Sequence, residues 1–339
     1  TFSLKGAIML KIGVVGVGHL GRHHARILST LSNCTMIGIY DKDPKRSKEI
    51  AKEFNLASFT SYEDLLNNVD AVDIAVTTTY HYELAKIALE LKKHVFIEKP
   101  ITTTVAQGEE LVALAKANNV KIQVGHIERF NPVIMKSAAL IGSPLFIESH
   151  RLHKFSHRGT DVPVVLDLMI HDIDLILSFV KSDLVNVQAS GIGIVTKSID
   201  IANARLEFAN GAVANITTSR ISMKMERKIR FFQKDAYISV NFQDKEVVAI
   251  RKSKDLKKIL PAILLGKKNF NPEDLVEQEV ITAEDIVKDA LTMELESFIT
   301  AIENDTDPIC SGEDGLQALR VAQRIIDEIN SHLVMAGEK

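Results

Sequence analysis

A short apolar run, "LKIGVV" from Leu10 to Val15, breaks straight into Gly16-Val17-Gly18-His19-Leu20-Gly21 and then into a helix-period segment. A strand, a glycine turn and a helix in that order leave little choice of fold. The first glycine permits a tight turn, the second leaves its backbone open to close approach, and the third lets the helix lie against the strand. The alternation continues to His126, with strand runs at 35–41, 71–76, 94–99 and 121–126 and helices near 19–31, 44–54, 80–92 and 104–118. Such β-branched runs, lacking polar alternation, suit strands buried on both faces. Asp43-Pro44 and Ser61 supply helix starts between them. This part reads as a doubly wound parallel sheet, a Rossmann domain over residues 9–126.

After His126 the pattern changes. A helix near 132–141 leads to "PLFIESHRL", a His-rich polar stretch, an apolar helix near 164–179, and then a series of strand runs from Val185 to Lys252, with Asn210-Gly211 as a hairpin turn. Residues Ser253 to Val280 read as a charged, irregular excursion, and helices near 283–303 and 313–332 close the chain. Residues 127–339 are therefore expected to form a second α/β domain with an open, largely antiparallel sheet, and 339 residues suit two domains. Thr1 to Ile8, ahead of Met9, fit poorly with the strand run after them and are read as a remnant or an upstream start.

Composition narrows the partners. With 41 basic against 44 acidic residues the net charge is −3, which offers no broad attraction for nucleic acid or an anionic membrane. No apolar run approaches the roughly 18 residues that a membrane span needs. Cys34 and Cys310 stand far apart with no CxxC or Cys/His cluster around them, which fits a reducing compartment and predicts a cytoplasmic protein.

The glycine turn opening a helix is suited to a dinucleotide pyrophosphate, and Asp41, about twenty residues on at the end of the second strand run, is placed to hydrogen-bond the adenine ribose. Its charge would repel a 2′-phosphate, so NAD is expected over NADP, although Lys42, Lys45 and Arg46 stand nearby. The predicted cofactor contacts are Gly16, Gly18, His19, Leu20, Gly21, Asp41, Thr77, Thr79, Glu98 and Lys99, and Thr78 shares the Thr77–Thr79 turn. Glu98-Lys99-Pro100 ends a strand run at the carboxyl edge of the sheet, where ligands bind in such folds. "DLMIHDID" puts Asp167 and His171 on one face of an otherwise apolar helix, where charges must be paired or face a cavity. A metal held by His153, His157, Asp167 and His171 is not expected, because nicotinamide chemistry with a lysine needs none.

Through "GVVGVGHLG", "EKP", "DxxxHDID" and "SGEDGLQAL", the chain from Leu10 to Leu333 resembles the Gfo/Idh/MocA oxidoreductases. The resemblance implies an N-terminal Rossmann domain, a C-terminal α/β domain whose open sheet often mediates oligomers, and an active site lined by Lys99, Asp167 and His171. "VGHIERFNP" and "TDVPVVLDLMIHDIDL" look like the UDP-N-acetylglucosamine 3-dehydrogenase subgroup, which implies oxidation of the C3 hydroxyl of a UDP-N-acetyl sugar to a ketone. In that reading His171 is the base, Lys99 donates to the reacting oxygen and Asp167 orients His171, with the roles of Lys99 and His171 open to exchange. His126, Arg129, Asn131, His153 and Arg158 are the expected substrate contacts, and cations in this group, including Arg151 and Lys154, would clamp a diphosphate. Two alternatives stand: a dehydrogenase of a free sugar or inositol, and a non-catalytic dinucleotide-binding sensor. Apolar alternation in "IANARLEF" and "AVANITTS" predicts an uncovered sheet face and a homodimer or homotetramer through it.

Overall fold

The computed structural model describes residues 9–156, 162–265 and 275–337. Two compact units emerge, one built on the chain up to Phe130 together with Lys288–Arg320, the other on Asn131–Val287 together with residues from Val321 on. Thr1 to Ile8 lie outside the described residues.

In the first unit, strands β1 (Leu10–Val15), β2 (Cys34–Tyr40), β3 (Ala57–Ser58), β4 (Ala71–Ile74), β5 (His94–Glu98) and β6 (Ile122–Gly125) form one sheet in the order β3-β2-β1-β4-β5-β6. Every pairing is parallel, so each crossover needs an intervening segment, here α1 (His19–Leu28), α2 (Pro44–Phe54), α3 (Tyr62–Asn67), α4 (His81–Glu90) and α5 (Val105–Asn118). The helices start where the side chains say they should. Asp43 accepts from the Lys45 and Arg46 amides with Pro44 next to it, Ser61 accepts from Asp64 N, and Thr104 accepts from Gln107 N. Asn55 and Asn119 end α2 and α5 in the left-handed conformation. Strand order reverses between β1 and β4, which opens a crevice at the carboxyl ends beside the glycine turn.

In the second unit, α6 (Pro132–Ala138) precedes β7 (Phe146–Leu152), α7 (Ile170–Val180), β8 (Leu184–Ile192), β9 (Ile201–Phe208), β10 (Val213–Ser219), β11 (Glu226–Gln233), β12 (Ala236–Asn241), β13 (Glu246–Lys252), α8 (Leu256–Leu264) and β14 (Val276–Thr282). The eight strands run in the order β14-β13-β12-β11-β7-β10-β9-β8, with β7 and β10 parallel and the rest antiparallel. The excursion expected over Ser253–Val280 is thus partly regular: α8 lies within it, and β14 adds an edge strand to β13. Its charged "VEQEVIT" has the alternation of an exposed edge strand rather than of a core one, which hid it.

The expectation of an uncovered apolar face on the sheet is corrected here. In β9 the apolar set Ala202, Ala204, Leu206 and Phe208 is buried, whereas Asn203, Arg205 and Glu207 face outward. The alternation therefore marks the covered face, against which α7 packs with Phe179 5.1 Å from Phe231, ring to ring. By its place in the chain α9 (Ala290–Glu303) falls within residues 127–339. Its Leu295, Phe298 and Ile299 instead join the first unit's core with Ile12, Leu28 and Phe96. Phe298 meets Phe96 edge-on at 5.9 Å, and Gln123 Nε2 donates to Glu294 O at 2.9 Å. The chain closes with α10 (Gly312–Met335).

Candidate active site

Gly16 has φ +81°, its amide donates to Tyr40 O at 2.8 Å, and a Cβ there would stand 2.4 Å from Val76 Cγ1. A Cβ on Gly21 would lie 1.8 Å from Gly16 O, so α1 can reach the turn only because that residue is glycine. A Cβ on Gly18 would meet nothing within 4 Å. The same residue precedes α1 without a side-chain cap, and so leaves the first helical amides open toward that free space.

Asp41 is more firmly held than spacing alone suggests. Oδ2 accepts from Val17 N and Oδ1 from Asp43 N, each at 2.8 Å, which locks the carboxylate between the glycine turn and the start of α2. It lines a cavity of about 480 Å³ together with Gly16, Gly18, His19, Lys42, Thr77 and Tyr80. Lys42 Nζ stands 4.8 Å over the Tyr80 ring. Arg46 turns away, donating to Val17 O at 3.0 Å and pairing with Glu49 at 3.0 Å. Leu20, Gly21, Thr79, Glu98 and Lys99 lie outside the residues lining this cavity.

Lys99, half-buried, follows β5, and its amide donates to Glu98 Oε2 at 3.3 Å. The Lys99–Pro100 peptide is cis. His81 Nδ1 lies 2.9 Å from Pro100 O and Nε2 3.1 Å from Val76 O, so one buried ring ties the turn after β5 to the cavity wall. Burial lowers its pKa against the pull of those carbonyls.

Sequence reasoning missed a buried ionic group beside Lys99. His24 from α1 places Nδ1 2.8 Å from Asp73 Oδ2 on β4 and Nε2 3.2 Å from Glu98 Oε1 on β5. The signal was available in the helix: Gly21, His24, Ala25 and Leu28 share the buried stripe of α1, so a titratable ring sits on an apolar face.

Of the expected substrate contacts, His126 is fully buried. Arg129 is engaged, with Nη1 donating to Ile309 O at 2.8 Å and Nη2 3.3 Å from Asp314 Oδ1. Asn131 caps α6 by accepting from Val133 N at 3.3 Å. Arg158 and His157 lie outside the described residues.

In the second unit a π-turn, Val165–Met169, runs into α7. Asp167 sits within that wider turn and His171 in the first turn of α7, and both are half-buried while Asp172 and Asp174 are buried. Arg151 is withdrawn from the expected cationic clamp: it is 3% exposed and grips Asp172 through two bonds, Nε to Oδ2 at 2.8 Å and Nη2 to Oδ1 at 2.9 Å. Neither does His153 bring a charge at neutral pH. Burial, then the Arg151 and Arg227 charges, lower its pKa against the opposing pull of Asp167 and Asp172. Arg227, opposite Arg151 in the β7–β11 register, was not foreseen, and its Cζ stands 5.3 Å from the Phe242 ring centre.

Residues 10–126 match the GFO/IDH/MocA model described as "Oxidoreductase family, NAD-binding Rossmann fold", and residues 141–335 match its "C-terminal alpha/beta domain". The chain is 33% identical over 320 residues to UDP-N-acetylglucosamine 3-dehydrogenase of Acidithiobacillus ferrooxidans, covering 94% of this chain and 96% of that one. A solved structure of UDP-N-acetylglucosamine 3-dehydrogenase from Acidithiobacillus ferrooxidans is similar with a TM-score of 0.86 at 32% identity, covering 96% of this chain and 99% of that one. Myo-inositol 2-dehydrogenase of Thermotoga maritima is 25% identical over 330 residues, covering 91% and 93%.

Proposed function

Because the chain belongs to the GFO/IDH/MocA oxidoreductase family, with both of its domains matched, we propose that it oxidises the C3 hydroxyl of a UDP-N-acetyl sugar to a ketone with NAD. The observation that carries this reading is the end-to-end similarity to a dehydrogenase of that substrate, in sequence and in structure. When bound, the nicotinamide supplies the hydride acceptor. Gly16, Gly18 and the start of α1 would hold the pyrophosphate, Asp41 the adenine ribose, and Thr77 the wall beyond it. Lys99 would donate a hydrogen bond to the reacting oxygen as negative charge grows there, and His171 would accept the hydroxyl proton. Asp167, one turn before His171, would orient the imidazole.

The fixed Asp41 carboxylate supports NAD over NADP. A 2′-phosphate there meets a charge that cannot swing away, worth at least about 1.4 kcal/mol, or about tenfold in affinity. Titration of both dinucleotides by fluorescence should give the weaker constant for NADP, and equal binding would show that Lys42 overrides the carboxylate. A screen of nucleotide sugars, free sugars and inositols against NAD, read by absorbance of the reduced cofactor, tests the substrate. The inositol dehydrogenase relative keeps a free polyol as the second reading, and NAD binding with no reduction by any of them would favour the sensor.

Assembly follows from the outer sheet face. Phe146, Phe232, Tyr237 and Ile250 stand in one cross-strand row, with neighbouring aromatic rings 5.3 and 5.0 Å apart, and all four are half-exposed. That row supports a homodimer or homotetramer through the sheet. Light scattering that finds only a 37.6 kDa species at micromolar concentration excludes it. Among the described residues no helix is long and apolar enough to cross a membrane. Cys34 and Cys310 are both buried and form no disulfide, which suits a reducing compartment such as the cytoplasm.

A further inference from the structure

Asp73, His24 and Glu98 arrive from β4, α1 and β5, and the imidazole of His24 is in contact with both carboxylates, at 2.8 and 3.2 Å. His24 and Asp73 are fully buried, and Glu98 keeps 13% of its side chain exposed. The Phe96 ring stands edge-on to His24 at 5.7 Å. Room for Glu98 comes from its β6 partner, Gly125, where a Cβ would stand 3.0 Å from the carboxyl carbon and both oxygens. The second oxygen of Glu98 accepts from the Lys99 amide at 3.3 Å. A continuous chain of contacts thus runs from the middle of the sheet to the backbone of Lys99.

We infer that the Asp73–His24 pair is a positioning device, which holds the Glu98 carboxylate in place and, through it, sets how Lys99 leaves β5. This rests on the catalytic reading of Lys99. Two buried carboxylates on either side of one imidazole favour a positive charge between them, and His24 is placed to supply it, although burial still holds the Asp73 carboxyl above its ordinary value against the charge and hydrogen bond of His24. Burial alone would depress the imidazole, but the charge and hydrogen bond of Asp73, then the Glu98 carboxylate 3.2 Å from the other ring nitrogen, raise it well above its ordinary value. Burial likewise pushes Glu98 up, and is outweighed by His24, whose ring nitrogen lies 3.2 Å away, and then by the Lys99 charge, so Glu98 stays below the usual range. His24 is a positioning residue here, reaching the reacting atoms only through Glu98 and Lys99.

The sign of the pH effect comes from the same charges. Without His24 the Glu98 carboxyl rises, and the carboxylate form exists only at higher pH. In His24→Gln the turnover of UDP-N-acetylglucosamine with NAD should fall about 10- to 100-fold near neutrality. The acid limb of its kcat profile should move to higher pH, with partial recovery on raising the pH, while NAD affinity changes little. Glu98→Gln should lose turnover without a shifted limb, and the double variant should lose less than the product of the two. A pH-independent loss in His24→Gln overturns the inference, since that is what a merely structural residue would give. Should that variant fold poorly, nitrogen-15 NMR of the wild type decides: both ring nitrogens of His24 should be protonated at neutral pH, where turnover is measured, and a neutral ring there overturns the inference. Lys99→Met, measured alongside, separates the two readings. Unchanged turnover there sinks the role of Lys99 and this inference with it, whereas a large loss there beside a wild-type profile in His24→Gln overturns the inference alone.

Discussion

Turnover should fall about 10²- to 10⁴-fold in His171→Asn and in Lys99→Met, the usual range for a positioned acid or base. Asparagine keeps much of the shape of the ring but cannot take a proton, and methionine keeps the length of lysine without its donor, so each change removes chemistry and little volume. NAD affinity should change little, because the glycine turn and Asp41 engage the opposite end of the cofactor. Asp167→Asn should lose less, and combined with His171→Asn it should add almost nothing, since it works through the imidazole. Turnover and NAD binding measured on the same proteins give the answer. Full turnover in both His171→Asn and Lys99→Met would sink the proposed mechanism.

In Gly21→Ala, NAD affinity should drop by about 100-fold or more, with a loss of stability, because a methyl group 1.8 Å from Gly16 O cannot be relieved by a rotamer change. The obstacle is backbone, so either α1 moves off the strand or the turn at Gly16 opens, and each displaces the amides that would face the pyrophosphate. Gly18→Ala makes the informative contrast. Its Cβ meets nothing within 4 Å, so the variant should melt like the wild type, yet bind NAD about tenfold more weakly because the methyl group fills the space a phosphate would use. Calorimetric binding together with thermal melts would separate the two. A Gly18→Ala protein that binds NAD as the wild type does would mean that the cofactor never approaches this amide.

Much of the first unit was legible because its signals are local. Strand runs of buried β-branched residues, caps at Asp43 and Ser61, and the spacing from Gly16 to Asp41 each act within a few turns of chain. The same reasoning stopped at Asp41 itself: spacing says that a carboxylate is near the ribose, whereas its double anchoring by Val17 N and Asp43 N requires the turn and the strand to have met. Arg151 looked like a phosphate clamp by composition, and the fold gave it to Asp172 instead. Charge tells what a side chain can bind, and only packing tells what reaches it first.

Periodicity by itself determined that Leu10–Gly21 is a strand, turn and helix, that "IANARLEF" has one apolar face, and that a helix lies near 283–303, which the structure starts at Ala290. Only the tertiary structure decided where those faces go: the β9 face under a helix, and α9 against Phe96 and Ile12. It also brought His24 to Asp73, 49 residues away, and both to Glu98. The physical reason is the same in each case. An apolar stripe fixes that a surface must leave water, but burial is non-directional, so the partner is chosen by the shape and the unpaired polar groups of whatever the chain folds against it.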